Sequence, residues 1–103
     1  MCGILGRFYR EPSHGSALTE AEVATLAHRG PDGRGTYTDT QTQLGHTRLA
    51  IIDLSDRGKQ PMAYDNGRYV VVYNGEIYNY IELRSQLATK GERFLTSADT
   101  EVL

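Results

Sequence analysis

The sequence holds a single cysteine, no tryptophan, three prolines and no long apolar run. A lone cysteine cannot close an internal disulfide, which fits a reducing compartment, and it cannot build a cysteine-rich zinc centre. The three histidines, His14, His28 and His46, lack the i, i+4 spacing of a helical metal pair, so no metal site is expected. The apolar stretches fall far short of the ~20 residues of a membrane span. The start of the chain, Met1 to Arg7, turns polar too soon for a signal peptide. A cytoplasmic protein without a membrane contact is expected. Lysine and arginine form no run or aromatic-interleaved stripe, and the net charge is −2, so no nucleic-acid partner is expected either.

What is present suits one globular core: 103 residues, 39% of them hydrophobic and 23% charged. Residues 3–9 read as a buried strand. Its internal glycines suggest the close approach of another backbone or a ligand. Residues 11–16 read as a turn. Thr19-Glu20-Ala21-Glu22 has the form of a capping box, with Leu18, Val23, Leu26 and Ala27 following at a helical period until Gly30 and Pro31 end the helix. Residues 36–38 and 43–52 read as strands around a hairpin turn at 39–42. A polar loop over 53–61 follows. The unbroken run Tyr69-Val70-Val71-Val72-Tyr73 predicts a strand over 67–74 covered on both faces. A second helix should start at Asn79, capped by that side chain, with Tyr80, Leu83 and Leu87 as a buried stripe and Gly91 as its stop. Residues 93–96 read as a short strand and 97–103 as the beginning of a third helix. The predicted order is β-α-β-β-β-α-β-α, an α+β layered sandwich with antiparallel sheets.

Four features could carry chemistry. Cys2 is a potential nucleophile, but an ordinary thiol is mostly protonated at neutral pH and needs a base. If Met1 is removed, the base can be the α-amine of Cys2 itself, the logic of N-terminal threonine hydrolases. Taken alone, Cys2 reads first as a buried cysteine near a terminus. Asn74 and Gly75, at a strand end, offer a side-chain amide and an unobstructed backbone amide of the kind a developing oxyanion requires. Taken alone, an Asn-Gly pair reads first as a hairpin turn. Arg48 sits among apolar strand residues and either points to solvent or holds a carboxylate with both arms of its fork. Asp99 either caps the last helix or faces a substrate ammonium.

Taken together, six runs change these readings. They are Met1-Cys2-Gly3-Ile4, His28-Arg29-Gly30-Pro31-Asp32, the stretch from Gly45 through Arg48-Leu49-Ala50-Ile51-Ile52-Asp53 to Ser55, Gln60-Pro61-Met62, Asn74-Gly75-Glu76-Ile77-Tyr78-Asn79, and Asp99 to Leu103. In order and spacing they resemble the class II glutamine amidotransferases over essentially the whole chain. The Cys-Gly-Ile start alone also fits glucosamine-phosphate synthase and the purine-pathway amidotransferase. The Arg-Gly-Pro-Asp and Arg-Leu-Ala-Ile-Ile-Asp runs favour the glutaminase domain of the asparagine synthetases.

The resemblance implies an N-terminal-nucleophile hydrolase fold, a four-layer αββα sandwich, of which residues 1–103 would be the N-terminal part. It implies that Cys2 attacks the side-chain carboxamide of L-glutamine, giving a thioester and ammonia, with Asn74 and Gly75 as the oxyanion hole. Arg48 would hold the substrate α-carboxylate, Asp99 with Glu76 the α-ammonium, and the backbone of Leu49, Ala50, Ile51 and Ile52 would line the pocket. No cofactor is implied in this chain. ATP and Mg²⁺ would belong to a separate C-terminal synthetase domain, the partner that receives the ammonia and activates aspartate. Ala98 stands where the family usually has serine, one hydroxyl fewer near the ammonium site. The alternative expectation is an inactive fragment or interaction module that needs a complementary chain.

Overall fold

The computed structural model describes residues 1–13 and 15–103; His14, and with it part of the turn expected over 11–16, lies outside the described residues. The elements are β1 (Gly3–Phe8), α1 (Glu20–Ala24), β2 (Gly33–Thr38), β3 (Thr42–Arg48), β4 (Met62–Tyr64), β5 (Tyr69–Val71) and α2 (Tyr80–Thr89), with single 3-10 turns at Asp56–Gly58 and Asp99–Val102. The architecture is a small α+β fold with two antiparallel sheets, one in the order β1-β3-β2 and the other the pair β4-β5.

The first sheet is built around β3. Gly3 stands opposite Thr47 and Gly33 opposite Arg48, so both neighbours end at the residues where the cleft begins. Side chains alternate across a strand. Gln43, Gly45 and Thr47 face α1: a Cβ on Gly45 would press on Val23 and Leu18, and the Thr47 hydroxyl donates to the Leu26 carbonyl at 3.0 Å. Leu44, His46 and Arg48 face the other way, where the loop around Gln60 packs against Gly35 so closely that a Cβ there would lie 2.1 Å from the Gln60 carbonyl oxygen. The capping box forms as expected. Glu22 N–H donates to the Thr19 hydroxyl, and Thr19 N–H donates to the Glu22 carboxylate at 2.8 Å. Beyond Ala24 the helix tightens into i, i+3 bonds through Gly30.

Several elements differ from expectation. The strand expected over 43–52 stops at Arg48. The Leu49 and Ala50 amides are taken by Cys2 Sγ and the Asp32 carboxylate instead of a neighbouring strand. The strand expected over 67–74 shortens to Tyr69–Val71. It is half-covered rather than enclosed, because β4 is its one sheet partner among the described residues. β4 itself was not foreseen. It arises from a turn at Asp65, Asn66 and Gly67, all with positive φ. Asn79 stands at the N-terminus of α2 but makes no side-chain cap, and the Tyr80, Leu83 and Leu87 face is half-buried. Gly91 (φ 98°) closes α2 in a Schellman motif, with its N–H on the Ala88 carbonyl and that of Glu92 on the Leu87 carbonyl. Residues 93–96 form no strand. The Leu95 and Thr96 amides are captured by the Glu101 carboxylate at 2.6 and 2.8 Å, which folds the chain back into the final 3-10 turn.

Candidate active site

The end of β3, the start of β1, the segment after β5 and the last 3-10 turn converge on a cleft of ≈ 280 Å³. Of the residues singled out in the sequence, Cys2, Arg48, Leu49, Ile51, Ile52, Asn74, Gly75, Glu76 and Asp99 line it. Ala50 does not; its amide is turned to Asp32 Oδ2 at 2.9 Å. Met1 also lines the cleft, bonded to Cys2, so the Cys2 nitrogen is an amide here.

Cys2 is half-buried, and its sulfur accepts the Leu49 N–H at 3.3 Å, placing the positive end of an amide dipole on the atom that would carry charge. Its main chain is fixed from two sides. Arg29 Nε donates to the Cys2 carbonyl at 3.0 Å, and the Gly3 amide donates to Thr47 Oγ1 at 3.1 Å. Arg29 reaches there because Gly30 lies against the β3 backbone. A Cβ on Gly30 would stand 2.5 Å from the Thr47 carbonyl.

The two charges that could bind a zwitterion are both buried and both unmatched by an opposite charge among the described residues. Arg48 is 8% exposed, with its guanidinium donating to the Ser55 carbonyl at 2.6 Å and to the Asp53 carbonyl. Two of its five N–H groups are thereby engaged, and the rest remain for a ligand. Asp99 is likewise 8% exposed and accepts the Ile77 amide at 2.9 Å and the Thr100 amide at 3.0 Å. The hairpin alternative for Asn74-Gly75 is excluded, because the chain runs on through Tyr78 into α2 without a returning strand. The Asn74 carboxamide and the Gly75 N–H have no protein partner among the described residues. A side chain at position 75 would collide with the Tyr73 phenol.

The supporting residues were not singled out from the sequence. Asp53 accepts the Ser55 and Ser97 amides at 2.8 and 2.9 Å, and the Ser55 hydroxyl and these amides hold its carboxyl well below the ordinary range. Gln60 is buried and joins Tyr73 to Thr100. His46, 1% exposed, has both ring nitrogens without a partner. Burial, aided by nearby Arg48, pushes it below its usual value. The signal for Asp53 and Gln60 lay in the motif runs themselves, where polar residues interrupt apolar ones. Among the described residues no three His, Cys, Asp or Glu side chains gather where they could hold a metal, and no helix is long and apolar enough to cross a membrane.

The family model described as the glutamine amidotransferase domain matches residues 1–103. The chain belongs to that family. Among curated relatives of this amidotransferase domain, asparagine synthetase (glutamine-hydrolysing) 1 of Bacillus subtilis is 44% identical over 107 residues, and its namesake in Arabidopsis thaliana is 41% identical over 105. Both alignments take in 100% of this chain but only 17% and 18% of the relative. The amidase chry2 of Gibberella zeae is 36% identical, again over 100% of this chain and 17% of the relative. The amidotransferase chain thus spans about a sixth of the length of the curated relatives it matches.

Proposed function

We propose that this amidotransferase domain hydrolyses the side-chain amide of L-glutamine and serves as the glutaminase portion of an asparagine-synthetase-like enzyme. The observation that carries the reading is the pair Arg48 and Asp99: one buried basic and one buried acidic side chain, neither in an ion pair among the described residues, on the same cleft as Cys2. A buried unpaired charge is costly. Two of opposite sign on one cleft suit the α-carboxylate and α-ammonium of an amino acid, with Glu76 assisting on the ammonium side.

With Met1 removed, the Cys2 α-amine takes the thiol proton, directly or through a water. The sulfur bonds to the side-chain carbonyl carbon, and the negative charge moves to the oxygen, where Asn74 and Gly75 donate. The C–N bond then breaks, and nitrogen leaves as ammonia with the proton the α-amine held. Water adds to the thioester carbonyl, the C–S bond breaks, and glutamate and the thiol are released. The ammonia is proposed to pass to a C-terminal synthetase domain, and the ATP and Mg²⁺ for aspartate activation are assigned to that domain and not to this chain. The surrounding fold is read as the four-layer sandwich of N-terminal-nucleophile hydrolases, with residues 1–103 as its N-terminal part, in a cytoplasmic protein. Support for these last points is the identity to asparagine synthetases across the whole chain.

The test is intact-protein mass spectrometry with a glutamine-analogue electrophile. The expected result is loss of Met1 and one label on Cys2, with Cys2→Ala unlabelled and ammonia release from glutamine abolished. Full activity in Cys2→Ala would exclude the assignment.

A further inference from the structure

Resting on the glutamine reading, the geometry points to Gln60 as a positioning residue that sets the length of substrate side chain the cleft accepts. A substrate gripped at its α-carbon by Arg48 and Asp99 reacts only if its carboxamide reaches Cys2 and the donors of Asn74 and Gly75. The distance between anchor and oxyanion donors is therefore a ruler. The Asp99 arm of the anchor lies on the last 3-10 turn and the oxyanion donors on the segment following β5, and these two elements need a tie to hold that distance.

Gln60 supplies one tie. Its Oε1 accepts the Tyr73 N–H at 2.5 Å, and its Nε2 donates to Thr100 Oγ1 at 3.1 Å. The orientation of the carboxamide is fixed, because the Tyr73 amide can only donate. The second tie is Asp99 itself, which takes the Ile77 amide. Asn74, Gly75 and Glu76 are thus held at both flanks, Tyr73 and Ile77, to the adjacent residues Thr100 and Asp99. Gln60 is 7% exposed and Thr100 is 5% exposed, so neither bond competes with bulk water. Asparagine is one methylene shorter than glutamine, about 1.5 Å of reach. A misplacement of ~1 Å at reacting atoms costs about 10²-fold in rate. A rigid ruler of this kind therefore rejects asparagine.

The test compares hydrolysis of L-glutamine and L-asparagine by the Met1-processed protein and its Gln60→Met and Thr100→Val variants, with thermal melts to establish folding. Thr100→Val is nearly isosteric and cuts the tie at its far end only. The wild type should take the electrophile at Cys2 and prefer glutamine. Each variant should lose roughly 10- to 100-fold in kcat/KM for glutamine, mostly in kcat: Thr100→Val forfeits one buried hydrogen bond, and Gln60→Met forfeits that bond together with the one from the Tyr73 N–H. The glutamine-to-asparagine ratio should narrow by about 10-fold, and the double variant should match the worse single variant rather than multiply the two effects. Folded variants that keep the wild-type ratio, or a double variant whose losses multiply, would overturn the role of Gln60. A wild type that neither takes the label nor hydrolyses glutamine would instead overturn the glutamine reading on which it rests.

Discussion

At the residue scale the cleft depends on a few charges held by backbone rather than by each other. Arg48 is aimed by the Asp53 and Ser55 carbonyls, and a Cβ on Gly58 would stand 2.5 Å from its Nη2. Lysine offers a single point of charge and cannot reproduce the planar fork that reaches both carbonyls and a ligand at once. Arg48→Lys should therefore raise KM for glutamine by about 10- to 100-fold, the worth of one charge-assisted hydrogen bond, with a smaller change in kcat; an unchanged KM would remove Arg48 from the substrate. Asp53 makes the same loop sensitive to acid. Its folded pKa lies below the unfolded value of ~3.9. Its contribution is present above that value and is lost as pH falls through it toward the folded one. Asp53→Asn should lower the urea midpoint at pH 7 and narrow the difference between pH 7 and pH 3. An equal pH dependence in both proteins would show that Asp53 does not carry it.

At the element scale, legibility in the sequence followed the range of the interactions. The capping box at Thr19, the turn at Asp39 and the stop at Gly91 are settled within a few residues, and all three form. Replacing Thr19 by alanine should cost about 1 kcal/mol in urea unfolding; no loss would mean that the Arg7–Glu22 ion pair alone secures the helix start. The misreadings occur where distant groups claim the backbone. Glu101 takes the amides expected to form a strand at 93–96, and Asp32 and Cys2 take those expected to extend β3. Asn-Gly occurs at 66–67 and at 74–75, and only the first makes a hairpin, because only there do flanking strands pair, Tyr64 against Tyr69. Nine of the ten expected site residues share the cleft, since their identities carry the chemistry. The ties through Arg29, Asp53 and Gln60 emerge only when the fold brings together residues as far as 44 positions apart.

At the scale of the whole molecule the 103 residues are loosely assembled. The radius of gyration is 14.5 Å, against about 13 Å for a compact domain of this length. The accessible surface is 6949 Å², against about 5,800 Å² for a compact monomer of this mass. Among the described residues the buried apolar side chains are Leu18, Val23, Leu44 and Ala98, while Phe8, Leu54, Ile81 and Leu95 stand exposed and α2 has no buried residue. The cleft is instead held by polar ties, and such ties define geometry more than they add net stability. A polypeptide of residues 1–103 alone should therefore show a shallow urea transition at low midpoint and bind a hydrophobic dye at pH 7. A polypeptide extended toward the length of its relatives should unfold at a higher midpoint with the dye signal lost, because the exposed apolar faces are then covered. Urea titration and sedimentation on both decide the matter. A sharp transition of a stable, dye-free monomer for residues 1–103 would show that this part of the fold is self-sufficient, and that the polar ties around Cys2, Arg48 and Asp99 stabilise it as well as shape it.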